Sequence, residues 1–106
     1  MGSVFLEIEG NNVKNRILNF LILHSEFDYS MKDIAKFSNV SYTALKAIWK
    51  EFIYRNIVKN TRIIGNAKLY QLNRDNPQVE KFIDYYWSVV DAEANKVIKA
   101  EEENIS

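Results

Sequence analysis

A mostly α domain with one small β-hairpin and a long helix at its C-terminal end is the fold class that this 106-residue chain predicts. Three observations carry the prediction. In the first half, Asn12, Ser30 and Ser41 stand as capping residues in front of three segments free of proline and glycine. Two runs rich in β-branched residues then flank a Gly65-Asn66 turn signal. Finally Asn76-Pro77 opens a stretch with no further proline or glycine, and proline is well placed at a first helical position.

Taken in order, residues 1–10 form an N-terminal lead-in in which Val4 to Ile8 is either a short strand or a helical turn, closed by Gly10. Asn12 to Ser25 reads as a first helix. Its Ile17, Leu18, Phe20, Leu21, Ile22 and Leu23 are apolar almost all round the helical wheel, so more than one neighbour must cover it. Phe27-Asp28-Tyr29 is a short extended piece, and Ser30 caps a second helix from Met31 to Phe37 with Asp33 at its third position. Ser38-Asn39-Val40 breaks that helix, because asparagine tolerates a left-handed backbone better than most residues with a β-carbon. A third helix runs from Tyr42 to about Arg55, with Leu45, Ile48, Trp49 and Phe52 on its apolar side. Ile57 to Arg62 and Lys68 to Leu72 are the hairpin strands, with Ile63 to Asn66 at the tip, and the last helix spans Pro77 to about Ala100.

Two short helices joined by a tight turn, a longer third helix and a hairpin make a winged helix-turn-helix over residues 11–74, followed by a C-terminal helix over 75–106. The charge distribution supplies a partner. The chain is formally neutral, yet residues 11–74 hold eleven cations against four anions, a net +7, while residues 1–10 carry −2 and residues 75–106 carry −5. A concentrated positive field suits a polyanion, and double-stranded DNA is the expected partner. On the face of the third helix away from Leu45, Ile48, Trp49 and Phe52 lie Thr43, Lys46, Ala47 and Lys50, with Ser41 and Tyr42 at its N-terminal shoulder. Small side chains at Thr43 and Ala47 allow close approach to a major groove. Lys46 and Lys50 reach phosphate or guanine, and the hydroxyls donate to base or backbone. The wing offers Arg62, Asn66 and Lys68 to a minor groove or the phosphate backbone.

The segments NRILNFLILHSEFDYSMKDIAKFSNVSYTALKAIWKEFIYRNIV and KNTRIIGNAKLYQLNRDNP cover nearly two-thirds of the chain. They resemble the archaeal winged helix-turn-helix regulators, most of all in DIAKFSNVSYTALKAIWKEF and RIIGNAKLYQLN. The resemblance implies a small dimeric transcription regulator that reads DNA with the third helix and braces it with the wing. Tyr42, Thr43, Lys46 and Lys50 inherit the recognition role by that resemblance, and Arg62 and Lys68 the wing role. Asn39 departs from the glycine usual in the turn, and the early recognition helix lacks the arginine that many such relatives carry.

The remaining composition excludes other classes. No run approaches the roughly 18 consecutive apolar residues of a membrane span, since the greasiest, Ile17 to Leu23, is interrupted by Asn19. The N-terminus lacks the order of a secretory signal, so a cytoplasmic location is expected. With no cysteine there is no thiolate nucleophile or zinc-thiolate site, and with one histidine, His24, there is no triad. No metal, cofactor or small-molecule substrate is expected, and the chain reads as a non-enzyme. Trp49 and Trp87 read as packing residues.

On the last helix Val79, Phe82, Ile83, Tyr86, Val90 and Val97 share a stripe with spacings of three and four. Such a stripe asks for a second copy of the chain, giving a homodimer, or for a fold-back onto the first helix; the two are compatible. Two further readings of the whole stay open: a winged-helix module that docks protein, and a binder of structured RNA.

Overall fold

The computed structural model describes residues 3–105. Its elements are α1 (Val4–Glu9), α2 (Val13–Leu23), β1 (Tyr29–Ser30), α3 (Met31–Phe37), α4 (Tyr42–Tyr54), β2 (Val58–Ile64), β3 (Ala67–Leu72) and α5 (Pro77–Ile105). The lead-in takes its helical form. It ends at Gly10, whose φ of 113° would strain any residue with a β-carbon. The Asn12 side chain accepts from the Asn15 amide at 2.9 Å and starts α2. That helix stops two residues short of the expected Ser25, because His24 leaves the helical backbone and the Ser25 amide turns to Ile22 instead.

The helix-turn-helix follows its local signals. Ser30 Oγ accepts from the Asp33 amide at 3.2 Å and Ser41 Oγ from the Ala44 amide at 3.1 Å. Between α3 and α4, Asn39 adopts φ 59°, the left-handed conformation the turn requires. The hairpin departs from expectation. Ile63 and Ile64 belong to β2 and Ala67 to β3, so the loop is only Gly65-Asn66 and the tip is shorter than the four residues expected. Gly65 alone, at φ 61°, meets the backbone demand of a two-residue loop, and the β-branched isoleucines stay extended. The sheet also gains a strand: β1 pairs antiparallel with β3, Tyr29 opposite Tyr70 and Ser30 opposite Leu69, in the order β1-β3-β2.

A single buried cluster joins all parts of the chain. It includes Phe5 of α1, Ile17, Leu18, Phe20, Leu21 and Ile22 of α2, Ile34 of α3, Leu45, Trp49 and Phe52 of α4, Tyr70 and Leu72 of β3, and Val79, Ile83 and Tyr86 of α5. α2 is therefore covered by α1 on one side and by α3, α4 and β3 on others, as its apolar circumference demands. Asn19, the polar break in its greasy run, is where distant parts of the chain meet. Its side-chain oxygen accepts from Tyr86 Oη at 2.6 Å and from Ser3 Oγ at 2.9 Å. Phe5 lies edge-on to Phe82 at 5.9 Å and against Tyr86 at 4.8 Å, so the first turns of α5 fold back onto α1.

Past Val90 the helix α5 continues with mostly exposed side chains. At 29 residues it spans about 43 Å at 1.5 Å per residue, and the molecule extends 60 Å along its longest axis. The helix passes Ala100, where it was expected to stop, because Glu101 to Glu103 are good helix formers with no glycine or proline to end it. Trp87, expected to pack, is 43% exposed, and the ring of its neighbour Tyr86 meets it edge-on at 5.1 Å.

Trp49 is buried, edge-on to Tyr70 at 5.3 Å and beside Phe52. Trp49→Ala is expected to cost about 3–5 kcal/mol, close to the whole margin of a small domain. Urea denaturation followed by circular dichroism will show it as a fall in midpoint with the slope kept.

Candidate nucleic-acid interface

α4 presents two faces of different chemistry. Leu45, Trp49 and Phe52 are buried and Ile48 half-buried, whereas Tyr42, Thr43, Lys46, Ala47 and Lys50 are exposed. Ser41 is exposed as well; its oxygen accepts one bond to cap the helix, and its hydroxyl proton stays available to a ligand. The Lys46 ammonium sits 5.4 Å from the centroid of the Tyr42 ring, a cation–π contact that holds the lysine along the first turn of the helix.

Beside that turn runs a groove of about 500 Å³ between the helix pair and the hairpin. Tyr42 and Lys32 line it from the helices, and Ile64, Asn66 and Lys68 from the hairpin. The sequence singled out Tyr42, Asn66 and Lys68 separately, and the fold brings them to one place. Lys32 was missed; its position two residues after the Ser30 cap, in the first exposed turn of α3, was the available signal.

The cations of the middle segment fall into two sets. Lys14 and Arg55 pair with Glu51, Lys59 with Asp75, Arg62 with Asp28 and Arg74 with Glu80. Among the described residues, Arg16, Lys32, Lys36, Lys46, Lys50 and Lys68 make no ion pair with a carboxylate; Arg16 donates instead to the Asn11 side chain and the Asn39 carbonyl, and Lys36 lies over the Phe37 ring at 5.8 Å. Arg62 is held most firmly: its Nε donates to Asp28 at 2.9 Å and its Nη2 at 3.0 Å, while Thr61 Oγ1 donates to the same carboxylate at 2.6 Å. Adjacent strand residues ordinarily point to opposite faces. Here the register slips between Asn60 and Arg62, and this bulge lets Thr61 and Arg62 both reach one aspartate.

On α5 the residues expected at a dimer seam divide. Val79, Ile83 and Tyr86 are buried in the chain's own core, Phe82 and Val90 pack against its edge, and Val97 is 52% exposed. No helix among the described residues is long and apolar enough to cross a membrane. No cluster of three or more His, Asp or Glu among them could hold a metal ion.

No protein-family model and no curated protein matches the sequence. Solved structures do match. Staphylococcus aureus MepR, a transcription regulator of the multidrug efflux pump MepA, aligns with a TM-score of 0.67 at 16% identity, over 95% of this chain and 76% of its own. A double mutant of Lactococcus lactis ZitR in apo form gives 0.65 at 18% identity, over 86% of this chain and 74% of its own. The adhesin competence repressor AdcR of Streptococcus pyogenes gives 0.60 at 18% identity, over 96% and 80%.

The fold is that of the winged-helix regulators. In its terms α3 and α4 are the helix-turn-helix pair, β2 and β3 form the wing, and the Asp28–Arg62 pair ties the wing to the segment before β1. Hydrogen bonds from Arg62 first, and from Thr61 second, lower the Asp28 carboxyl from 3.8 to about 2. The depressed value means that the pair stabilises the folded chain above the ordinary aspartate range, and that this contribution is lost as pH falls from about 4 through about 2. An NMR titration of the Asp28 carboxyl carbon should give that low midpoint in the native protein. In Arg62→Gln the midpoint should rise toward 3.8, with part of the acid sensitivity of the wing resonances removed.

Proposed function

We propose that the chain binds double-stranded DNA and regulates transcription by occupying a duplex site. The observation that carries this reading is the gathering of the unpaired lysines. Of the five, Lys46 and Lys50 on the recognition helix, Lys32 at the start of α3 and Lys68 on the wing border one groove and one exposed helix face, and Lys36 lies over the Phe37 ring; Lys14, Arg55, Lys59, Arg62 and Arg74 have carboxylate partners. In this reading α4 enters the major groove. Thr43 and Ala47 let it approach, Lys46 and Lys50 contact phosphate or guanine, and Tyr42 and Ser41 donate to the backbone. Lysine as a point charge rather than a bidentate arginine gives modest base readout. Asn66 and Lys68 place the wing along the adjacent strand or minor groove. The archaeal affiliation rests on the sequence resemblance, and the solved structures named above support the fold. The reading leaves no role for an enzyme activity, and a cytoplasmic location fits it.

The homodimer belongs to the same proposal. The near half of the α5 stripe is occupied within the chain, so the seam for a second copy is the far half. From Val90, half-buried at the core's edge, the stripe continues through Ala94 and Val97 at spacings of four and three, with Ile98 beside them exposed. A two-fold pairing there would set two recognition helices on half-sites about one duplex turn, roughly 34–36 Å, apart. Protein docking keeps one supporting observation, the exposed Leu23, Phe27 and Phe37 at the far ends of α2 and α3.

Replacing Lys46 and Lys50 together by Ala should weaken duplex binding and lower the magnitude of the salt slope by about 0.9 for each lost phosphate contact. Fluorescence anisotropy at several salt concentrations reads this directly, and an unchanged slope would sink the recognition-helix assignment.

Sedimentation equilibrium at tens of micromolar should find a dimer. Val97→Asp with Ile98→Asp should convert it to a monomer with an unaltered melting temperature, since both side chains lie outside the core. A native monomer would refute this seam.

A further inference from the structure

The wing tip is apolar. Ile63 is 60% exposed and Ile64 56% exposed, at the last two positions of β2, directly before the Gly65-Asn66 loop. Ile63 faces Lys68 across the hairpin and Ile64 faces Ala67, so successive side chains put one isoleucine on each face of the tip. Exposed hairpin ends are ordinarily polar or charged, which protects them from association. The one arginine of the wing does not reach forward to soften this tip, because Asp28 and Thr61 hold its guanidinium at the other end of the bulge. The cations that remain nearby are Lys68, paired across from Ile63, and Lys32 across the groove. Ile64 also lines that groove with Tyr42, so the tip and the start of the recognition helix border one concavity.

We infer that the wing tip is an apolar wedge that enters the minor groove of duplex DNA and partly unstacks a base step there. The inference rests on the DNA-binding reading above and specifies what its wing does. A two-residue loop makes the narrowest hairpin end, which suits a groove only about 6 Å wide, and branched aliphatic side chains are among those that separate base steps. The positive field of Lys32, Lys46, Lys50 and Lys68 brings phosphates to both sides of the tip, so the occupant favoured on this face is a polyanion with an apolar interior accessible from its groove. Opening a step costs least at the flexible TA and CA/TG steps. The wing then discriminates sequence through deformability, without a hydrogen bond to any base, and supplies selectivity that lysines on the recognition helix do not.

The test selects bound duplexes from a random pool with the native protein, labels the ends of a selected duplex, and measures bending by energy transfer. The native protein should bend it by roughly 20–90°. It should also prefer the selected step over a stiff A-tract by about fivefold or more at the wing position. Ile63→Ser with Ile64→Ser should still bind with the same salt slope, but without the bend and without the step preference. Because both side chains are exposed, this variant should melt as the native protein does, and Lys46→Ala with Lys50→Ala should show the converse, a reduced slope. Binding without bending overturns the wedge and leaves the DNA-binding reading standing, as does bending that survives in the serine variant. Failure of the native protein to select any duplex overturns the DNA-binding reading and the wedge with it. Loss of a protein partner in the serine variant, with bending intact, would assign the tip to protein docking and also overturn the wedge.

Discussion

α2 has to be kept from water on nearly every side, and that requirement organises the molecule. A helix of eleven residues with Ile17, Leu18, Phe20, Leu21 and Ile22 buried cannot be satisfied by one packing partner. The helix-turn-helix and the sheet cover part of its circumference, and α1 with the first turns of α5 cover the remainder. Asn19 would be a liability in such a setting, because an unsatisfied amide oxygen in a core costs about 1–3 kcal/mol. Ser3 and Tyr86 donate to it, and the residue that interrupts the apolar run becomes the point at which the two ends of the chain are fixed to its centre. Lead-in, winged domain and C-terminal helix therefore share one core.

That shared core fixes the position of the basic face. α4 is anchored through Leu45, Trp49 and Phe52, none of which carries charge, and this leaves its other face free to hold lysines without loss of packing. The wing is fixed from its own side. β1 adds a third strand, and Asp28, just before it, takes both Thr61 and Arg62 across the bulge. The hairpin is thereby part of a three-stranded sheet, whereas a two-stranded pair alone is marginal in water. The width of the groove lined by Lys32, Tyr42, Ile64 and Lys68 separates the start of α4 from the wing.

The parts of this arrangement that were legible in the sequence are those whose cause is local. Ser30 with Asp33, Asn39 and Ser41 mark the ends of α3 and α4 because each acts within three residues of itself. The period of Leu45, Ile48, Trp49 and Phe52 gives the buried face for the same reason. What escaped the sequence depends on distance. β1 finds β3 some forty residues later in the chain, and Asp28 and Arg62 each look like ordinary solvated charges until the bulge brings them together. The hairpin tip was drawn two residues too long because Ile63 and Ile64 were assigned to the turn, although β-branching favours extension. The stripe on α5 was visible, but periodicity cannot say which neighbour covers which half. Tyr86 has a partner in Asn19, while Val97 has none in its own core.

Sorting the cations by partner changes what the net charge of the middle segment means. Of its excess, the part fixed in ion pairs contributes little to phosphate binding, because a contact to DNA would first have to break a pair already made. If the proposed duplex contact engages Lys32, Lys46, Lys50 and Lys68, each would displace a condensed counterion, a salt slope of about 3–4 per protomer. That is a small electrostatic grip for a sequence reader, well below the slope of about 10 found for large repressors. Two copies joined through the far half of α5 would double it without any new residue, and linked sites gain further from effective concentration. Under the proposed DNA-binding reading, a weak positive face, lysines rather than arginines on α4 and an apolar wing tip favour discrimination by the shape and pliability of the duplex over base hydrogen bonds.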